Sequence, residues 1–190
     1  MTRLEPLDAA RLAVRVRVAL EEDGARRDAT TEFLELGDRS AVAGIEVDAP
    51  LVVCGLDVAR EVFRQVDPAC RFEALAEDGA RVEADANLCR IEGRAASILA
   101  AERTALNFLQ RMSGVATLAS RYVAAVDGTG VVVLDTRKTI PLWRELDKYA
   151  VRCGGAQNHR RTLSSMVLVK DNHVRALGGP EALEIGRAHV

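Results

Sequence analysis

The 190-residue sequence lacks any uninterrupted apolar run long enough to cross a bilayer. Residues 1–6 also lack the apolar stretch of a secretory signal, so we expect a cytoplasmic protein without membrane association. A strong charge of one sign is absent as well, because 26 basic side chains stand against 28 acidic ones, a net charge of -2. This balance argues against a general nucleic-acid-binding protein.

Paired cysteine motifs are missing too. None of the four cysteines forms a Cys-x-x-Cys pair, and none lies near a histidine at zinc-finger spacing. We therefore interpret Cys54, Cys70, Cys89 and Cys153 as buried free thiols in a reducing compartment, in preference to metal ligands or disulfide partners.

Lysine is scarce, with three lysines against 23 arginines. Two of them, Lys138 and Lys170, fall at the ends of predicted strands. A compact ammonium group binds anions differently from a planar guanidinium group, so the choice of lysine at these two positions suggests a specific role.

The hydrophobic fraction of 48% and the length suit one large packed domain or two small ones. In the first hundred residues, apolar spacing predicts two helices and several short strands that form a small, mainly antiparallel sheet. The predicted helices are residues 8–22 and 57–66, and the predicted strands are 41–47, 50–54, 71–76, 80–84 and 87–92. This part of the chain is typical of a separate α+β unit.

A parallel α/β arrangement is predicted after residue 97. Ser97 is the expected N-cap of a helix that carries Arg103 and Asn107 on one side, and Ser113-Gly114 is expected to break or kink it. A further helical run follows to Val126. A strand at 131–134, a helix at 142–151 and a strand at 166–169 then give the alternation of a parallel sheet.

Basic residues cluster near the carboxyl end of the sequence. Residues 1–134 hold 16 arginines and 22 acidic residues, a net charge of -6, whereas residues 135–190 hold 10 basic and 6 acidic residues, a net charge of +4. Three times between residues 131 and 173 an apolar or glycine-rich run is followed by a compact basic group. Strand ends of α/β barrels point into active sites, so these groups predict binding of an anionic substrate. A solvated basic face is the alternative.

The order and spacing of several motifs resemble the quinolinate phosphoribosyltransferase family, also called nicotinate-nucleotide pyrophosphorylase (carboxylating). The resemblance covers nearly all of residues 8–180. The matching segments are residues 102–110, 113–117, 135–139, 148–155, 158–160 and 170–173, with a weaker match at 22–31. It implies the α/β class, with an N-terminal α/β sandwich domain at residues 1–110 and the first part of an α/β barrel at 111–183.

The resemblance also implies a reaction. The family joins quinolinate to phosphoribosyl pyrophosphate in the presence of Mg²⁺, and it releases nicotinate mononucleotide, carbon dioxide and pyrophosphate for NAD synthesis. Its members are homodimers in which the N-terminal region of one subunit closes the barrel mouth of the other. The acidic contacts to the metal and the ribose are expected beyond the end of this chain.

Seven residues are expected at the substrate site by the same resemblance. Arg137 and Arg160 would hold the quinolinate carboxylates, and Arg103 would reach in from the partner subunit, although a helix-surface arginine is the simpler interpretation of Arg103. His159 would line the quinolinate pocket, with hydrogen bonding to a carboxylate as its expected role. The remaining substrate-binding residues are Thr136, Lys138 and Lys170, of which the two lysines are the candidate catalytic cations for phosphate and pyrophosphate.

The chain departs from the family pattern at Leu142, Gln157 and Ser165, and family members continue for roughly another hundred residues. We interpret residues 184–190 as a non-native tail on a truncated reading frame, and we expect the chain alone to be poorly soluble or inactive. Two alternatives stay open: a related transferase for another anionic ring substrate, and a non-catalytic partner subunit.

Overall fold

The computed structural model describes residues 4–182, which form two compact units that divide between His159 and Arg160. The predicted non-native tail, residues 184–190, lies outside the described residues. Within residues 4–182, no helix has the length and apolar character needed to cross a membrane.

Two helices open the first unit, and an aspartate begins each of them. Helix α1 (Ala9–Asp23) starts where the Asp8 carboxylate accepts a hydrogen bond from the Arg11 amide at 2.9 Å, and its Leu12-Val16-Leu20 stripe is buried. Helix α2 (Ala29–Phe33) starts in the same way at Asp28. Side chains at Ncap positions satisfy amides that lack a partner inside the helix, which explains why both helices begin at these positions. The helix predicted at 8–22 is confirmed as α1.

Two antiparallel sheets follow, which confirms the predicted sheet type. The larger sheet has the order β1-β5-β3, and its register pairs Ala43 of β1 and Phe72 of β3 with Ile91 of β5. The smaller sheet pairs β2 with β4. The strands are β1 (Ser40–Glu46), β2 (Leu51–Val52), β3 (Arg71–Ala74), β4 (Arg81–Val82) and β5 (Asn87–Arg94).

The core lies between these sheets and two helices, α3 (Leu56–Val66) and α4 (Ala95–Ala125). Helix α3 buries Val58, Val62 and Phe63, as the spacing predicted for residues 57–66. Burial of each such side chain contributes about 1.5–3 kcal/mol relative to its exposure to water. The three buried cysteines, together with the half-buried Cys70, are all free thiols, so the expectation of burial fails only for Cys70.

Helix α4 differs from the prediction at two positions. Its N-cap is Arg94 and not Ser97, because the buried Ser97 hydroxyl donates instead to the Asp67 carboxylate at 2.7 Å. That hydrogen bond is the main cause of the lowered pKa of Asp67. Ser113 and Gly114 do not break the helix. The Ser113 hydroxyl accepts from the Cys54 amide at 3.0 Å and donates to its carbonyl at 3.2 Å, so tertiary contacts outweigh the local preference.

Only a trace of the predicted parallel sheet forms in the first unit. The strand predicted at 131–134 is reduced to one parallel bridge between Leu134 and Gln157. Helix α5 (Arg144–Cys153) begins two residues later than predicted, since Leu142 has a φ of 68° and is not helical. A left-handed φ is uncommon for leucine, and it ends the preceding turn before the helix can begin.

The second unit holds helix α6 (Asp171–Ala176) and a 3-10 turn (Pro180–Ala182). The strand predicted at 166–169 is wrong, because all four side chains of this apolar run are exposed and no strand is assigned to them. A strand needs a neighbour to pair with, and within residues 4–182 none pairs with this run.

Packing of α5 against α4 depends on Gly154. A Cβ atom at this position would overlap the Ala116 carbonyl oxygen and lie 2.7 Å from the Ala119 Cβ atom. We expect Gly154→Ala to lower the free energy of unfolding by about 1–3 kcal/mol, because the backbone has to shift to relieve the overlap. The measurement is urea unfolding followed by circular dichroism.

The matched control is Gly114→Ala, where a Cβ atom would meet nothing within 4 Å in the middle of α4. This change should leave stability unchanged or raise it by up to about 1 kcal/mol, since alanine favours the helix. Equal effects of the two substitutions would contradict the proposed packing constraint.

Candidate functional site

Asp135 is the centre of a buried polar network at the end of the parallel bridge. Its side chain is 7% exposed, and its Oδ1 atom accepts from the Lys148 ammonium at 2.5 Å and from the His159 amide at 2.8 Å. The Oδ2 atom accepts from the Asn158 side-chain amide at 2.8 Å. Three donors from two further segments therefore converge on one carboxylate.

Lys148 is 1% exposed and lies on α5. Besides Asp135, its ammonium group donates to the His159 carbonyl at 3.0 Å, and its own carbonyl accepts from the Asn158 side chain at 2.9 Å. Buried charges are stable only when paired and hydrogen-bonded, and both conditions are met here. The network holds residues 135–138 beside residues 157–159, so the loops that carry Arg137 and His159 start from the same point of the first unit.

The first loop carries three of the predicted site residues. The Thr136 hydroxyl accepts from the Lys138 amide at 3.0 Å, which closes a tight turn. The Lys138 side chain is exposed, and Arg137 is half-buried. The Arg137 Nε atom is buried and has no hydrogen-bond partner among the described residues. A buried guanidinium donor without a partner is costly, and a bound carboxylate would satisfy it.

The second loop places His159 at the end of the first unit. Its backbone amide and carbonyl are both bound in the Asp135 network, so the position of this residue is fixed while its half-buried imidazole stays outside those contacts. Neither the Asp135–Lys148 pair nor Asn158 was predicted as part of the site. The signals were the family motifs at residues 135–139, 148–155 and 158–160, which contain these three residues, and the scarcity of lysine, which drew attention only to Lys138 and Lys170.

Arg160 and Lys170 lie in the second unit. The Arg160 guanidinium donates to the Met166 carbonyl at 2.9 Å, and the exposed Lys170 precedes α6. The Lys170 amide donates to His173 Nδ1 at 2.9 Å, so His173 belongs to the start of α6. The first unit thus brings four of the seven predicted residues, Thr136, Arg137, Lys138 and His159, to the Asp135 network. Two more, Arg160 and Lys170, belong to the second unit.

Arg103 is the seventh predicted residue to be placed, and it lies apart from the Asp135 network as an exposed side chain on α4. Asn107 is exposed one turn later, as predicted. A groove of about 820 Å³ runs between α1, α4 and the start of α5, lined among others by Asn107, Phe108 and Trp143. None of the seven predicted site residues lines this groove.

Among the described residues, no group of three His, Cys, Asp or Glu side chains offers an all-oxygen set of ligands for Mg²⁺. Mg²⁺ prefers a shell of oxygen ligands. Among residues 4–182, the single cluster of three metal-binding side chains is Cys54, Asp78 and Cys153, in which two of the three ligands are sulfur. The Asp135 carboxylate is already occupied by an ammonium group and two amide groups.

Two family models match the chain in consecutive order. Residues 28–113 match the N-terminal domain of quinolinate phosphoribosyl transferase, and residues 115–189 match its C-terminal domain. A probable nicotinate-nucleotide pyrophosphorylase [carboxylating] of Synechocystis is 40% identical over 159 residues, 84% of this chain and 54% of the relative. The enzyme of that name from Mycobacterium leprae is 41% identical over 185 residues, 95% of this chain and 64% of the relative.

Solved structures agree with the sequence matches. The nicotinate-nucleotide pyrophosphorylase of Francisella tularensis has a TM-score of 0.86 at 36% identity, over 94% of this chain and 64% of that chain. The same-named protein of Ehrlichia chaffeensis has a TM-score of 0.85 at 33% identity, over 93% and 64%. The chain therefore spans between about half and two thirds of the length of these relatives.

We expect Lys148→Met to lower the free energy of unfolding by about 3–5 kcal/mol, because it leaves the Asp135 carboxylate buried without its cation. The measurement is denaturant unfolding at neutral pH. The matched control is Arg17→Met, which removes a cation from the exposed Arg17–Glu21 pair on α1. Exposed pairs of this kind contribute about 0.3–0.5 kcal/mol. A similarly small loss at Lys148 would show that the network does not depend on the ion pair.

Proposed function

Because the chain belongs to the quinolinate phosphoribosyl transferase family, we propose that it acts in phosphoribosyl transfer from phosphoribosyl pyrophosphate to quinolinate with loss of carbon dioxide. The products would be nicotinate mononucleotide and pyrophosphate, a step of de novo NAD synthesis. The observation that carries the proposal is the match of both family domains, in order, over residues 28–189.

Quinolinate carries two carboxylates on a pyridine ring, and arginine binds a carboxylate through two parallel hydrogen bonds. We assign Arg137 to one carboxylate, and its buried, unpartnered Nε atom supports this assignment. Arg160 is assigned to the other on the basis of the family resemblance. Arg103 is exposed on α4, as a residue that reaches a partner subunit has to be, and a homodimer is part of the proposal.

Lys138 and Lys170 are assigned to the phosphate and pyrophosphate oxygens. Negative charge grows on the departing pyrophosphate as the bond to the ribose carbon breaks. Cations that are already in position stabilise this charge more strongly in the transition state than in the ground state. Both side chains are exposed, which leaves their ammonium groups accessible to a phosphate ligand.

Lys148 has a different role in this proposal. Its ammonium group is used by Asp135 and the His159 carbonyl, so it positions the two loops and does not bind substrate.

His159 and Thr136 are assigned to the substrate pocket. Mg²⁺ would arrive bound to phosphoribosyl pyrophosphate, and no step of the proposal uses a metal ligand from the described residues. The cytoplasmic location and the lack of a nucleic-acid partner remain predictions from the sequence.

The test supplies the 190-residue chain with phosphoribosyl pyrophosphate, Mg²⁺ and quinolinate that is labelled in the carboxylate to be lost. Release of labelled carbon dioxide that requires both substrates would support the proposal and overturn the expectation that the chain alone is inactive, and isomeric pyridine dicarboxylates should release none. Release from an isomer would favour the related transferase. Quinolinate binding without turnover would favour a partner subunit, and the absence of both would contradict the proposal.

We expect Arg137→Met to weaken quinolinate binding about 10- to 100-fold, because hydrogen bonds to a charged group contribute about 1.5–3 kcal/mol. Arg137→Lys should recover little of this loss, since lysine keeps the charge without the two parallel donors. Arg81→Met, which removes an exposed arginine on β4, is the control. Isothermal titration with quinolinate measures all three, and unchanged affinity in Arg137→Met would remove this residue from the site.

A further inference from the structure

Three chain segments meet in a second polar cluster, away from the Asp135 network. Cys54 follows β2, Asp78 lies in the turn between β3 and β4, and Cys153 is the last residue of α5. The two sulfur atoms are 3.4 Å apart, and the candidate ligand atoms of all three residues lie within 4.8 Å of one another. Both thiols are buried. The proposed phosphoribosyl transfer uses none of these groups.

The donor set is suited to a thiophilic divalent cation. Zn²⁺ binds thiolate sulfur at about 2.3 Å in a tetrahedral arrangement, which places two sulfur ligands roughly 3.8 Å apart. The observed sulfur separation of 3.4 Å is close to this value, so a small outward shift of one side chain is sufficient. A carboxylate oxygen is a regular third ligand for Zn²⁺, whereas Mg²⁺ and Ca²⁺ do not select sulfur.

The Asp78 carboxylate is held in place but is not saturated. Its Oδ1 atom accepts from the Gly55 and Leu56 amides at 2.9 and 3.1 Å, at the start of α3, and its Oδ2 atom accepts from the Tyr149 hydroxyl at 2.9 Å. An ionised carboxylate offers about four lone-pair positions, so these three bonds leave one on Oδ2. Ligands of metal sites are commonly oriented by hydrogen bonds of this kind. If Asp78 served only to cap α3, the contacts of its Oδ1 atom with the two helix amides would be sufficient.

Burial makes the thiolate form of Cys54 costly while no cation is present. Burial raises the pKa of the Cys54 thiol, and the neighbouring Cys153 adds to the rise. Burial likewise raises the pKa of Asp78. A divalent cation would reverse this cost, because it compensates the thiolate charges directly. The α3 amino terminus and the Arg152 guanidinium, whose charge acts to lower the pKa of the Cys54 thiol, offset the remaining negative charge.

We propose that Cys54, Cys153 and Asp78 form a structural binding site for one Zn²⁺ or a similar thiophilic divalent cation. On binding, two S–H bonds are replaced by two S–Zn bonds, the ionised Asp78 carboxylate and one water complete the four ligands, and two protons pass to the buffer without any change in oxidation state. The bound ion would connect the end of β2 and the β3–β4 turn to the carboxyl end of α5. Since α5 also carries Lys148, the ion would brace the helix that supports the Asp135 network.

The test titrates the reduced, chelator-stripped 190-residue chain with Zn²⁺ against a chromophoric chelator, and with Co²⁺ as a spectroscopic probe. We expect one Zn²⁺ per chain, release of about two protons, a higher melting temperature, and thiolate-to-cobalt charge-transfer absorption. Cys54→Ala and Cys153→Ala should each abolish the absorption and the stoichiometric binding. Asp78→Asn keeps an oxygen for the helix amides and should weaken binding at least about tenfold.

Cys89→Ala is the matched control, because Cys89 is also fully buried but lies in β5, outside the cluster. It should keep the Zn²⁺ stoichiometry and the cobalt spectrum, even if its stability falls. Binding that survives Cys54→Ala, or is lost equally in Cys89→Ala, would overturn the proposal. So would a reduced wild-type chain that binds no Zn²⁺, or one whose Cys54 and Cys153 form a disulfide in air and take up no metal.

Discussion

One buried ion pair determines whether the candidate site can exist. The Asp135 carboxylate and the Lys148 ammonium group are almost completely excluded from water and lie 2.5 Å apart. Removing two charges from water costs several kilocalories per mole for each, and their attraction repays this only if the remaining hydrogen-bonding capacity is used. Asn158 and both backbone groups of His159 supply these bonds, so the pair and the loop geometry depend on each other.

The helices and sheets of the first unit support this pair. Helix α5 carries Lys148 on its buried face, and that face packs on α4, where Gly154 allows the backbone of α5 to come close to Ala116. Helix α4 in turn packs on α3 and the sheets. The loop that carries Arg137 rests on this packed support. Its binding affinity gains from the support, because an ordered loop loses less conformational entropy when it binds a ligand.

The sequence was most informative where one physical effect dominates. Apolar spacing located α1, α3 and α5 within two residues, and the order of the basic motifs identified the family and its α/β class. The predictions failed where contacts between residues far apart in the sequence determine the structure. Ser97 has the local chemistry of a cap, but the Asp67 carboxylate binds its hydroxyl. Residues 166–169 have the composition of a buried strand, but no described strand pairs with them. The burial of Lys148 could not be predicted either, because its partner Asp135 is 13 residues away in the sequence.

Helix α4 has a consequence for how this chain can be divided. Its 31 residues extend about 46 Å, and the change from the N-terminal to the C-terminal family model, between Ser113 and Val115, falls in its middle. Each of the two sequence domains therefore contains about half of one continuous helix. Any recombination event or laboratory excision that follows the sequence boundary would split a buried apolar stripe, so the smallest exchangeable module has to include the entire helix.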